Sequence, residues 1–398
     1  MRGVSSDAHP ADQAEALLPQ PEAGAPAADF LRRLSSLTIL HFCRNDEPLH
    51  LPGMRPEEIL RRVRAFVDRS PFLWLLQSAL LHPEKLALVD APSPSGASQT
   101  LNYSQLLLRS VSLCEGLGRL GCLRGSRIAV LLHNCGSVMD VHFTASAIGA
   151  TVVNLNTHLV SRELCGLLAS SAPQFIVTSA DRAAVLCDAL LDVPSLDYDL
   201  SAVTILWVGG TPAAAAQLPV RSLDYESLLL EHRISDARQL GDTLYRLPPA
   251  ASASPFQIYF TSGTTGKPKP VVLSLSVVVT HALGTVHEMR LHSEDVWLHV
   301  APMFHLVDAF ALYAVTRVGG RHVVTPSFAP AETLMLIEQA RRAPSPRRSC
   351  PPLSLSLGAH TIPHSGTCFL FERGVNHGAS LREQPYRSAR GHVHPADF

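Results

Sequence analysis

The stretch PFQIYFTSGTTGKPKP, residues 255–270, joins an apolar run to a loop of glycine, hydroxyl and lysine residues. The apolar run PFQIYF predicts a buried strand. In the loop, Gly263 and Gly266 allow a close approach of the backbone, and the clustered N–H groups with Lys267 suit the charge of a polyphosphate. Two of the only three lysines in the chain lie here. The stretch therefore predicts a phosphate-binding loop at the end of a strand.

Other sites of similar composition fit this loop less well. A Walker A loop needs four residues between its glycines and a hydroxyl residue after lysine, but here two residues separate Gly263 from Gly266 and Pro268 follows Lys267. The dinucleotide spacing G-x-G-x-x-G is missing, and so is the G-x-S-x-G elbow of a serine hydrolase. A flexible polar hairpin remains the alternative without function, against which the preceding strand and the stiffening prolines count.

Short β-branched runs alternate with helical patterns between about residues 100 and 340. The strand-like runs are RIAVLLHN, QFIVTS, AVTILWVGG, PFQIYF, VWLHVAP and RHVVTP, and the helical patterns include VMDVHFTASAIG and DRAAVLCDALL. The runs are apolar on both faces, as in parallel strands covered by helices on each side. The fold class predicted is therefore α/β.

The bulk composition limits the partners of the chain. The 33 basic and 34 acidic residues nearly cancel, so no strong field attracts nucleic acid or an anionic membrane. The eight cysteines contain no C-x-x-C pair and no secretory signal precedes them, which favours reduced thiols and a cytoplasmic location. The apolar stretch at residues 72–81 is too short to span a bilayer. We expect it to pack on its own domain; peripheral contact with a membrane is the alternative.

Composition also divides the chain into three parts. Residues 1–50, rich in Ala, Pro and Glu, predict a flexible leader, and residues 55–340 predict the folded domain. Residues 344–398 are rich in Pro, Ser, Arg and His where the alternation calls for another strand. This tail is expected to be disordered, or to be the product of a misread gene.

Four segments resemble, in order, the adenylate-forming superfamily, which includes the acyl-CoA synthetases. YFTSGTTGKPKPVVLS (259–274) looks like the AMP-binding signature of that family, and APMFHLVDAF (301–310) resembles the motif that lines its acyl and adenylate pockets. Residues 101–134 and 142–164 resemble the opening of its N-terminal domain. The resemblance covers about residues 70–340. It implies the stacked, doubly wound sheets of the large N-terminal domain of these enzymes, incomplete at the C-terminus.

The resemblance implies that the protein activates a small carboxylic acid with ATP and Mg²⁺ and then transfers the acyl group from AMP to coenzyme A. A fatty acid is the favoured substrate, because the surroundings of the APMFH segment are apolar. His305 is implied to lie beside the acyl-adenylate and, with Lys267, to serve catalysis; no protein ligand is assigned to a metal. The residues implied to hold the phosphates are Thr261, Ser262, Gly263, Thr264, Thr265, Gly266, Lys267 and Lys269.

Several positions depart from the family pattern. Pro270 stands where the family usually has glycine, and Leu275 replaces a common histidine. The later motifs of the family are not found, and no lysine follows Lys269 to take the part of its adenylation lysine. A non-catalytic nucleotide-binding or interaction module derived from the family is therefore the alternative function.

The histidines outside the APMFH segment lack the spacing of a metal site. We expect them to be solvated or to lie on helix surfaces: His281, His287, His292 and His299.

Overall fold

The computed structural model describes residues 69–90, 99–192, 198–248, 250–261, 268–342 and 371–372. Within these ranges the helices are α1 (Pro71–Leu81), α2 (Tyr103–Arg119), α3 (Gly136–Ile148), α4 (Ser161–Ser171), α5 (Ala183–Asp192), α6 (Tyr225–Glu231), α7 (Ala237–Arg246), α8 (Leu275–Glu288), α9 (Leu306–Val318) and α10 (Pro330–Arg342). The strands are β1 (Leu86–Asp90), β2 (Gln99–Asn102), β3 (Arg127–Leu131), β4 (Thr151–Asn154), β5 (Phe175–Ser179), β6 (Thr204–Val208), β7 (Arg221–Asp224), β8 (Pro255–Thr261), β9 (Lys269–Ser274), β10 (Val296–His299), β11 (Arg321–Val324) and β12 (Phe371–Glu372). The predicted leader, residues 1–50, lies outside these ranges, as does the predicted tail apart from β12.

The strands form two sheets. The larger has the order β7-β6-β5-β3-β4-β8-β9 and is parallel except for the edge strand β9. The smaller has the order β12-β10-β11-β1-β2, with β10, β11 and β1 parallel and the outer strands antiparallel. The α/β prediction is confirmed, and each of the six apolar runs contributes a parallel strand. The edge strands β7 and β9 were not predicted from apolar runs, because they are partly or fully exposed and carry polar residues.

Helix α1 is the apolar stretch considered as a membrane-surface segment. All its residues except Gln77 and Leu81 are buried, and Trp74 is fully buried. The helix contacts α2, α3 and α9, which join the two sheets around it. Its apolar surface is therefore used in the core, as expected for packing on its own domain. Among the residues described, no helix is long and apolar enough to cross a membrane.

Local signals set the ends of two helices that lead into the large sheet. The Asn102 side chain accepts a hydrogen bond from the Gln105 amide at 2.8 Å, and the Gln105 side chain accepts one from the Asn102 amide at 2.9 Å. This reciprocal pair caps the start of α2. Helix α3 ends at Gly149, whose φ of 78° lies in the left-handed region, and the chain turns there directly into β4.

A partly buried ion-pair cluster fastens three helices together. The guanidinium of Arg109 on α2 lies 2.9 Å from the Asp140 carboxylate on α3 and 2.8 Å from the Glu226 carboxylate on α6. Tyr225 adds a hydrogen bond to Asp140 at 3.3 Å. Asp140 is buried, and burial raises the pKa of its carboxyl while Arg109 opposes that shift. The cluster thus holds α2, α3 and α6 in one arrangement on the same side of the large sheet.

Asp90, the last residue of β1, should make stability depend on pH. Its Oδ2 atom accepts a hydrogen bond from the Gly136 amide at 2.6 Å, and burial raises the pKa of Asp90 to about 7. Between about pH 4 and pH 7 the folded chain therefore retains a proton that the unfolded chain has released, so stability falls as the pH rises through this window. On going from pH 5 to pH 8, the free energy of unfolding of Asp90→Asn should rise by about 3 kcal/mol relative to that of wild type, because asparagine has no such proton to release.

Urea unfolding at the two pH values checks this expectation. The matched control is Asp242→Asn, which changes an exposed aspartate on α7 and should show no such gain. Equal pH dependence in wild type and Asp90→Asn would contradict the role of Asp90.

Candidate functional site

The carboxyl ends of the parallel strands form one edge of the large sheet. The chain passes from β3 to its neighbour β4 and then returns across β3 to β5 on the other side. Such a reversal opens a crevice beyond the strand ends, where ligands bind in sheets of this kind. β8 lies beside β4, with Val153 opposite Ile258. The predicted phosphate-binding loop therefore leaves β8 at the same edge.

Two of the predicted phosphate-binding residues lie at the base of the loop. Thr261 ends β8 and Lys269 begins β9; both are exposed, and they are paired across the hairpin. The Thr261 hydroxyl donates to the Lys269 carbonyl at 3.4 Å. Pro270 in β9 lies opposite Phe260 in β8. Because β9 is an edge strand, the missing N–H group of proline is tolerated there. The other predicted loop residues lie outside the described residues: Ser262, Gly263, Thr264, Thr265, Gly266 and Lys267.

A buried polar network fixes the strand that leads into the loop. His142 on α3 contacts the Tyr313 hydroxyl at 2.6 Å through Nδ1 and the Asn154 Oδ1 atom at 3.2 Å through Nε2. Gln257 on β8 donates to the Tyr313 hydroxyl, and the Tyr259 hydroxyl donates to Gln257 at 3.2 Å. Burial lowers the pKa of His142 to about 4, so it is neutral at neutral pH. With Nε2 donating and Nδ1 accepting, these contacts are mutually consistent and tie β8 to α3, β4 and α9.

His305 lies where the smaller sheet meets this edge. It is exposed and occupies the N-cap position of α9, six residues after the end of β10. The ring of Phe304 lies 4.6 Å from that of His305 and 6.1 Å from that of His158, which follows β4 in the large sheet. Partial desolvation, with a smaller contribution from His158, lowers the pKa of His305. The neutral imidazole can donate or accept a hydrogen bond at this edge.

A buried chain of polar side chains lies beneath the His305 loop. Asp308 accepts hydrogen bonds from Trp297 Nε1 at 3.0 Å and from His299 Nδ1 at 2.8 Å. His299 Nε2 then contacts His322 Nδ1 at 2.9 Å, and His322 Nε2 contacts the Thr316 hydroxyl at 2.9 Å. Burial lowers the pKa of His322 well below its usual value. The chain joins α9 to β10 and β11.

This arrangement corrects the expectation for one histidine. His299 is fully buried, whereas the sequence predicted a solvated or helix-surface residue. Its hydrogen-bond partners are Asp308 on α9 and His322 on β11. The residues adjacent to His299 in the sequence therefore do not indicate that it is buried and hydrogen-bonded. His281, His287 and His292 are exposed, as expected.

Sequence reasoning missed a second polar group at the edge. His133, after β3, lies 3.3 Å from the Asp181 carboxylate, and Arg182 donates to the Thr157 carbonyl at 2.9 Å. Desolvation is the main cause that lowers the pKa of His133, and Asp181 opposes it. These residues follow the ends of β3, β5 and β4. Polar residues placed directly after buried strands were the available signal.

The fold and this edge agree with one family. The family model described as AMP-binding enzyme matches residues 75–342, two thirds of the chain. The chain belongs to the AMP-binding enzyme family, and the predicted membership in the adenylate-forming group is confirmed.

Curated relatives and several solved structures similar to this chain are named as coenzyme A ligases or synthetases. A 2-succinylbenzoate–CoA ligase of Bacillus cereus is 27% identical over 304 residues, which cover 76% of this chain and 53% of the relative. The chain spans about half the length of the curated relatives it matches. Among solved structures, a fatty acyl CoA synthetase of Mycobacterium tuberculosis has a TM-score of 0.54 at 22% identity, covering 69% of this chain and 48% of that one. The o-succinylbenzoate CoA synthetase of Bacillus subtilis, in complex with its acyl-adenylate, has a TM-score of 0.51 at 22% identity, covering 67% and 59%. These structures share the fold.

Proposed function

We propose that the protein activates a carboxylic acid with ATP to form an acyl-adenylate, which then passes its acyl group to coenzyme A. The observation that carries this proposal is the meeting of two family motifs at one edge. The TSGTTGK loop leaves β8 there, and the loop that carries His305 reaches the same edge from the smaller sheet. The names of the relatives support the same reaction class.

The residues divide into two roles in this proposal. Thr261, the loop at residues 262–267 and Lys269 bind the β- and γ-phosphates, and Lys267 offsets the charge that develops as pyrophosphate leaves. His305 lies beside the acyl-adenylate and hydrogen-bonds to it as a neutral imidazole. Mg²⁺ neutralises phosphate charge in this chemistry; no residue of the chain is assigned as its ligand.

A fatty acid is the proposed substrate class. Helix α9, which follows His305, is mostly apolar. Near His305 its Leu306 is exposed and its Phe310 is partly buried, with the Phe310 ring 5.8 Å from the Trp297 ring. Apolar surroundings favour an alkyl chain over a polar amino acid. The relatives are named for both fatty acyl and succinylbenzoate substrates, so both kinds of acid belong in the test.

The test is carboxylate-dependent exchange of labelled pyrophosphate into ATP by the 398-residue chain. The panel contains fatty acids of several lengths, 2-succinylbenzoate and amino acids. We expect exchange that requires an acid and is fastest with a fatty acid. Exchange fastest with 2-succinylbenzoate would uphold acid activation and refute the fatty-acid proposal. Binding of ATP without exchange for any acid would refute the enzymatic function.

The second candidate is a nucleotide-binding module without catalysis. It is favoured by Pro270, which stands where the family resemblance implies glycine and which removes a backbone N–H donor beside the predicted phosphate-binding loop. The intact mass of the protein from its natural source separates the two candidates. A mass near 43.0 kDa with peptides from residues 344–398 favours the module, whereas a larger product with the later motifs favours the enzyme. The predicted cytoplasmic location stays a prediction under either candidate.

A further inference from the structure

Asn134 connects the two sheets at their carboxyl edges. It follows β3 of the large sheet by three residues and is 4% exposed. Its side chain does not bind its own sheet in the contacts described. It reaches instead the last residue of β10 in the smaller sheet and the segment that follows it, together residues 299–303.

Every polar atom of the Asn134 side chain is used there. Its Nδ2 atom donates to the Ala301 carbonyl at 2.7 Å and to the His299 carbonyl at 3.3 Å. Its Oδ1 atom accepts from the Met303 amide at 2.7 Å. The opposite orientation of the amide would place an oxygen against two carbonyls and an NH₂ group against an N–H group, so the partners determine the orientation.

These bonds immobilise the segment just before His305. Met303 is buried, and Phe304 and His305 follow it directly. On the other side, Asp308 ties the first turn of α9 to β10 through Trp297 and His299. The backbone that carries His305 is therefore held from both directions.

We propose that Asn134 is a positioning residue that places His305 at the shared edge without touching the substrate itself. The catalytic consequence rests on the function proposed above. A displacement of about 1 Å in a reacting group can lower a rate by about 100-fold. Removing the Asn134 side chain would release the Met303 amide and two carbonyls from their partner and permit such a displacement.

The test compares Asn134→Ala and Asn134→Asp with wild type. Asn134→Asp keeps the size and the acceptor for Met303 but opposes two carbonyls with a carboxylate, which provides a second variant if the alanine variant does not fold. The control is Gln174→Ala, because Gln174 also binds backbone, accepting from the Arg127 amide at 2.7 Å at the amino end of β3. Hydrogen exchange of residues 300–306 is measured in the free chain. The kcat and the KM for ATP are measured by carboxylate-dependent pyrophosphate exchange.

In both Asn134 variants, hydrogen exchange at residues 300–306 should be faster than in wild type. Their kcat for pyrophosphate exchange should be about 100-fold lower, with little change in KM for ATP, while the control variant should change neither quantity. Unchanged hydrogen exchange at this segment would overturn the proposal. Faster hydrogen exchange with an unaltered kcat for pyrophosphate exchange would also overturn it. If the wild-type chain has no activity with any acid, the proposed function and the catalytic consequence fail together. Faster hydrogen exchange would then still uphold Asn134 as the residue that fixes the segment.

Discussion

Replacing Lys267 with alanine should lower carboxylate-dependent pyrophosphate exchange by about 2–4 kcal/mol, or roughly 30- to 1,000-fold. In the proposed reaction, the ammonium group offsets charge that grows on the departing pyrophosphate. In phosphoryl and adenylyl transfer an enzyme generally performs little covalent chemistry, so positioning and charge stabilisation account for most of the rate. The loss should therefore fall mainly on kcat.

The chain offers a matched control for this prediction. Lys85 precedes β1 at the amino ends of the smaller sheet, where it binds the Ser293 carbonyl and lies 3.7 Å from Glu294. It is thus a whole strand length from the edge that carries His305. Lys85→Ala removes the same charge and should leave the exchange rate nearly unchanged. Equal losses in the two variants would show a general effect of charge or stability and remove Lys267 from the mechanism.

Replacing Asp308 with alanine should destabilise the protein by about 3–5 kcal/mol. The carboxylate accepts hydrogen bonds from Trp297 and His299, and both donors are buried. Without it, two N–H groups remain in the core with no acceptor, and each such group costs about 1–3 kcal/mol. A single domain is typically stable by about 5–15 kcal/mol, so this loss is a large part of the whole.

Urea unfolding at neutral pH measures this loss. Asp308→Asn keeps one acceptor oxygen and should be destabilised less than Asp308→Ala. The control Asp242→Ala changes an exposed aspartate on α7 and should alter stability by less than about 0.5 kcal/mol. A loss below about 1 kcal/mol for Asp308→Ala would contradict a structural role for the buried chain.

Much of the fold could be predicted because apolar periodicity is a local property. The runs that became β3, β5, β6, β8, β10 and β11 are buried on both faces, so their sequences carry little polar interruption. β9 has the mixed character of an edge strand and was not predicted as part of the large sheet. Its place follows from the hairpin after β8.

The candidate site divides in the same way. The loop at residues 261–269 and the segment around His305 are continuous motifs, so the sequence offers a role for each, and these roles stay predictions. The contacts of Asn134, His142 and His299 join residues 9 to 171 positions apart. No local pattern marks such pairs, since each partner taken alone looks like an ordinary polar residue.

The sequence by itself determined the fold class, the family and a loop suited to polyphosphate, because strand periodicity and the TSGTTGK motif are written in neighbouring residues. Only the tertiary structure decided that the His305 segment of the smaller sheet meets the carboxyl edge of the larger one, held there by Asn134. It also decided that His299 is a buried member of the Asp308 chain. The physical reason is that hydrogen bonding of buried polar groups depends on which distant elements the hydrophobic core brings together.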